Sequence, residues 1–343
     1  MITVEDDGAS MFLDLVEASI REGRRITVEE AERLLSTKAM SFTLSAYEKL
    51  LGLTRDDMVS VLVNLGSERP VNTDPVKLRF EEGFRSCYSL EAVSRLRREV
   101  GATLSTDFGV AERKALRYLP ASTVIESTVY LTVDAFNPGM VRGGDVGRSI
   151  IRGLDDISMD HMAHEFHHAG LIYCLSRRPG IARLAVSADS PEEVAAQLVC
   201  HLVSEGLANH FCTPNMVRAG EHKSPKADEK IRGYERNLYS MLEEAWSLIR
   251  DCLDGEAPLE ECRERLMGIL IDRDSILPKV HFIGEKIISV LEEDPEIRFK
   301  DIVDLCLRPE NLVCLYAGPA ARRGLPTLPD GHALKLQRIM SEM

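Results

Sequence analysis

The stretch Ile157-Ser158-Met159-Asp160-His161-Met162-Ala163-His164-Glu165-Phe166-His167-His168-Ala169-Gly170-Leu171-Ile172-Tyr173-Cys174-Leu175 decides how the rest of the chain is read. Its centre, His164-Glu165-Phe166-His167-His168, fits H-E-x-x-H. Read as a helix from Ile157 to Leu175, it places Ile157, His161, His164, His168, Leu171 and Leu175 along one stripe. His164 and His168, four residues apart, project from one face, so both imidazoles can reach a single metal ion. Glu165 leans over the same place, where it can take a proton from a water that the ion activates. Several histidines on a stripe that a core helix fills with apolar residues each require a polar partner, and a metal supplies one.

A catalytic zinc takes three protein ligands and keeps one position open. The next helix offers the third. Ser190-Pro191-Glu192-Glu193 is a helix start, with Ser as N-cap, Pro at N1 and Glu at N3. From there Val194, Leu198, His201/Leu202, Glu205 and Ala208/Asn209 form the inward stripe. Glu205 stands where an apolar residue belongs, and a carboxylate there must be paired or bound to a metal. The spacing leaves room for the first helix to finish and the second to return antiparallel. Gly206 either weakens this helix or lets a neighbour come close. One turn further on, Asn209 can accept the outer N–H of a ligand histidine, His164 first, fixing its tautomer. His161 and His201 are competing ligands or pocket-lining residues, and His167 lies off the stripe as a partner or surface residue. A di-iron bundle would need a second E-x-x-H. Glu165-x-x-His168 has no counterpart, so that site ranks low.

Outward from the motif, Thr123 to Val133 is rich in β-branched residues and reads as a strand. It is the candidate edge strand on which an extended substrate could pair, with a purely structural strand as the alternative. A glycine-rich connection (Asn137-Pro138-Gly139, Gly143-Gly144, Gly147) leads to a short second strand, Ser149 to Arg152. Before this region, helical spacing covers Met11–Glu22, Val28–Leu35, Ser45–Leu51, Arg55–Leu65, Val76–Phe84, Leu90–Val100 and Gly109–Tyr118. Thr27/Glu30 and Thr54/Asp57 read as capping boxes. After it, helices are expected over Pro191–Phe211, Ala227–Leu253, Leu259–Ile271, Lys279–Glu292 and Phe299–Leu307, with the tail from Gly318 wrapping the surface. The fold class is therefore mainly α with a small β-sheet (α+β). A helical N-terminal region, 1–118, precedes a catalytic region, 119–343, and the two can pack as one unit.

The 343 residues, 44% hydrophobic, suffice for a sizeable core. A net charge of −13 excludes a general nucleic-acid or anionic-membrane surface. The acidic start Met1-Ile2-Thr3-Val4-Glu5-Asp6-Asp7 lacks the features of a secretory signal, and no apolar run approaches a membrane span. The 8 cysteines are scattered without a C-x-x-C pair and read as reduced core thiols of a cytoplasmic protein. Oligomeric state is not encoded in any of these features.

The motif helix, followed by Ser204-Glu205-Gly206-Leu207-Ala208-Asn209, resembles the gluzincin group of zinc metallopeptidases, whose third ligand is a glutamate often followed four residues later by Asp or Asn. More closely, the chain resembles a set of zinc-dependent peptidases sharing an HE-x-HH … SEG-(I/L)-A signature. These have a helical N-terminal half and a later helix with an aromatic-x-x-Gly element, here His281-Phe282-Ile283-Gly284. The resemblance implies a zincin-like core and one Zn²⁺ held by His164, His168 and Glu205. It also implies peptide-bond hydrolysis with Glu165 as general base and a peptide or protein as substrate. Related enzymes often carry tyrosine where His281 stands; a histidine there also offers a donor to a developing oxyanion, with capping after Pro278 as the plainer role. Tyr130, Tyr234 and Tyr239 are reserve donors. Two other functions stay open at this point. One is a non-catalytic helical zinc-binding protein or degenerate peptidase acting as a binding module. The other is zinc hydrolysis of a non-peptide amide or ester.

Overall fold

Ser127–Thr132 forms the middle of a four-stranded sheet, because both of its edges are taken by partners distant in sequence or separated by a loop. The computed structural model describes residues 1–134, 138–151, 158–185, 187–221, 224–271 and 277–343. Its strands are β1 (Ile2–Glu5), β2 (Ser127–Thr132), β3 (Gly139–Arg142) and β4 (Asp145–Ser149), in the order β1-β2-β4-β3. β2 runs parallel to β1, from Ile2↔Ser127 to Glu5↔Tyr130, and parallel to β4, from Val129↔Val146 to Thr132↔Ser149. Val129, Leu131 and Val146 are fully buried on one face. The strand expected at an edge is thus interior, and the sheet ends instead in β1 and β3.

The second strand also lies earlier than expected, at Asp145–Ser149, and Arg152 falls outside the described residues. The glycine-rich connection is an antiparallel β3–β4 hairpin. Its two turn residues, Gly143 and Gly144, have φ of 60° and 94°, which a two-residue turn of this hand demands and glycine supplies without strain.

The chain divides into two compact units, Met1–Glu112 with Ile125–Ala169, and Arg113–Val124 with Gly170–Met343. In the first, the sheet is accompanied by the N-terminal helices, whose apolar faces meet in a cluster of Phe12, Phe80 and Phe84 with ring centroids 4.8 and 5.5 Å apart. Both capping boxes form, and Val28–Leu35 has the expected limits. The third helix starts earlier than expected, at Lys38, because Thr37 caps it. Phe108 meets Phe166 of the motif helix edge-on at 6.2 Å. That helix runs from Met159 to Leu175; Ile157 lies outside the described residues.

The second unit is built around Pro191–Phe211, capped by Ser190 through its bond from the Glu193 N–H. Lys279–Glu292 crosses it at Gly206 and Gly284. A Cβ on Gly206 would fall 2.6 Å from the Gly284 carbonyl oxygen, so backbone packs on backbone. Trp246 is fully buried, with its indole N–H 3.0 Å from the Pro326 carbonyl. The single helix expected over Ala227–Leu253 is two, Pro225–Arg236 and Leu238–Asp254, with Asn237 (φ −109°, ψ 12°) breaking the run. The tail beyond Gly318 is not a surface wrap. Leu312–Arg322 stays helical through Pro319, and Asp330–Glu342 forms a further helix. The cysteines are free thiols, six of them buried. No helix among the described residues is long and apolar enough to cross a membrane.

Candidate metal centre

The motif helix brings its two outer histidines to a common point. Nε2 of His164 lies 2.9 Å from Nε2 of His168, with the rings nearly perpendicular at 87°. Converging nitrogens of this kind serve one cation better than one another. Glu165 is buried between them and the sheet. On its sheet side the carboxylate lies against the backbone of β3, where a Cβ on Gly139 would fall 2.6 Å from Oε1. On its helix side, His161 Nε2 stands 3.2 Å from the same oxygen. Burial pushes the Glu165 carboxyl up, but His161, with His164 and His168 behind it, outweighs that and holds it below its ordinary value. His161 therefore faces Glu165. His167, expected as a partner or surface residue, is fully buried.

Glu205 and His281 meet where the helices Pro191–Phe211 and Lys279–Glu292 cross. Glu205 Oε2 is 3.0 Å from His281 Nδ1. Asn209 lies beside them. Its amide nitrogen donates to the Glu205 carbonyl at 2.8 Å and lies 3.0 Å from His281 Nδ1, and its oxygen accepts from the Thr213 hydroxyl at 3.3 Å. The reason is the Gly206–Gly284 approach, which brings His281 to the Asn209 side chain. Of the reserve donors, Tyr234 gives its hydroxyl to the Leu277 carbonyl, Tyr130 packs on Phe42 in the sheet, and Tyr239 is exposed.

The same helix pair holds a polar group that sequence reading did not single out. His210 Nδ1 lies 3.2 Å from Glu285 and its Nε2 2.6 Å from Glu292. Burial, the largest influence, drives His210 down and Glu285 up. The ion-pair contacts outweigh it in both, leaving His210 raised and Glu285 lowered. The available signal was Glu285 itself, a carboxylate between Phe282 and Ile288, three residues to either side, on a helix buried around most of its circumference.

Ring nitrogens of His164 and His168 and a carboxylate oxygen of Glu205 all lie within 4.8 Å of one another, a cluster able to hold a metal ion. Two imidazoles and one carboxylate are the donor set of a catalytic zinc that keeps a position open, so these residues fit zinc. Nothing among the curated proteins or the solved structures matches the chain. The profile of the family described as "Putative zinc dependent peptidase (DUF5700)" matches residues 98–316, more than half of the chain and including the motif helix, Glu205 and His281, and the chain belongs to that family.

Proposed function

We propose that this protein is a gluzincin-type zinc metallopeptidase. The carrying observation is the convergence of His164, His168 and Glu205 with Glu165 buried beside the two histidines. The chemistry a zinc ion supplies when bound by such residues is acidification of a water to near neutrality and polarisation of a carbonyl. Glu165 takes up the proton released at its carboxylate and returns it to the leaving amine. A carboxylate held below its ordinary pKa is in the form that accepts a proton at neutral pH. His281, its Nδ1 edge set against Glu205 and Asn209, is the proposed donor to the developing oxyanion. The substrate is a peptide in extended form. β3 ends the sheet and touches Glu165 through Gly139, so it replaces β2 as the strand along which a peptide lies.

Metal analysis coupled to a peptide-library digest tests this reading, comparing wild type with Glu165→Gln. The variant is expected to keep its zinc and lose turnover by about 10²- to 10⁴-fold. Undiminished cleavage by Glu165→Gln would remove Glu165 from the chemistry. A wild type that binds zinc and cleaves no peptide would favour a binding module or a non-peptide substrate.

A further inference from the structure

We propose that His161 is the positioning residue for Glu165, its Nε2–H holding Oε1 of the carboxylate against the backbone of β3. The inference rests on Glu165 being the general base and adds the residue that aims it. Both side chains are buried, each 6% exposed. They sit one turn apart on a continuous helix, the spacing at which side chains meet. Among the described residues Nε2 of His161 makes no well-formed hydrogen bond, and Glu165 Oε1 stands 3.2 Å from it. A buried N–H that faces a carboxylate closes on it, since leaving the bond unmade costs about 1–3 kcal/mol. Catalytic hydrogen bonds that are poorly aligned in a free enzyme tighten when the site is filled. The imidazole lies nearly parallel to the His164 ring, at 8° with centroids 5.9 Å apart.

The opposite wall of this clamp is a missing side chain. A Cβ on Gly139 would fall 2.6, 2.9 and 3.0 Å from Oε1, Cδ and Cγ of Glu165. Gly139 is not among the glycines with positive φ, so it is required for space and not for conformation. A free glutamate has several rotamers to lose on ordering. Here the strand backbone removes those on one side and His161 selects among the rest.

The test uses the zinc-loaded full chain and two readouts. Long-range ¹H–¹⁵N spectra of the histidine rings at one fixed pH are expected to show His161 protonated on Nε2, with that resonance shifting in Glu165→Ala. A wild-type His161 protonated on Nδ1, or a spectrum indifferent to Glu165→Ala, would overturn the proposal. In kinetics, His161→Leu is expected to lower kcat about 10- to 100-fold with KM and zinc stoichiometry unchanged. His161→Gln, whose amide N–H reaches the place of Nε2, should recover most of it, and Gly139→Ala should reproduce the loss from the other wall. A His161→Leu enzyme with full kcat, or no recovery in His161→Gln, would equally defeat it. If the wild type cleaves no peptide, the peptidase reading falls while the spectra still decide the contact.

Discussion

Glu205 sits on a helix face otherwise given to Val194, Leu198 and Leu202, and that displacement of type is what made it legible as a candidate ligand. Glu205→Ala is expected to weaken zinc binding at least 100-fold in competition with a chelator. It should also abolish the rise in melting temperature that zinc gives the wild type by mass action. An unchanged affinity would place the third ligand elsewhere. His164, Glu165 and His168 were readable because one helix with a 3.6-residue repeat fixes their relation. The contact of Asn209 with His281 was not legible, because it depends on a third helix and no local pattern says that His281 will arrive there. His161 lies between these cases: its spacing to Glu165 is local, yet only the structure shows that Nε2 is buried and faces the carboxylate.

At the scale of elements, helix ends were legible where capping chemistry marks them, as at Thr27, Thr54 and Ser190. The sheet was not. β1 pairs with a strand whose partner residue lies 125 positions away at Thr3–Thr128, and the hairpin hides in a run of glycines that reads as loop. The helix crossing at Gly206 was foreshadowed by the glycine alone; its counterpart Gly284 gives it meaning. A Cβ on Gly284 would fall 2.6 Å from the Leu202 carbonyl oxygen, a backbone atom that cannot swing aside. Gly284→Ala is therefore expected to destabilise the fold by about 1–3 kcal/mol, read as a lowered urea midpoint. It should also lower zinc affinity, because the strain falls on the helix that carries Glu205. A variant with wild-type midpoint and affinity would show that the helices can part without cost.

For the molecule as a whole, the acidic balance says little about fold, and stability against pH depends on particular buried pairs. Glu285 has its pKa lowered, so it contributes stability above its ordinary value of 4.5 and loses it as pH falls through the lowered value. His210 has its pKa raised, so its contribution is complete below its ordinary 6.5 and is lost as pH rises through the raised value. The two overlap between about 4.5 and 6.5. Lys286, 3.1 Å from Glu285, helps hold that carboxylate charged across the range, and Glu292 faces the other ring nitrogen of His210. His210→Gln is expected to cost about 2 kcal/mol at pH 5.5 and clearly less at pH 9, compared through urea midpoints. An equal loss at both values would mean that the imidazole acts by packing alone.

β1 carries a last consequence, for the order of assembly. Ile2–Glu5 leads the sequence, but its ladder partner, Ser127–Tyr130, is translated more than a hundred residues later. Until that segment leaves the ribosome the first strand has no native ladder partner. Contacts of such long sequence separation close slowly, after local helices have formed. The same sheet supplies the backbone at Gly139 on which Glu165 rests. The segment that aims the proposed base thus belongs to a structure whose first strand has the longest wait.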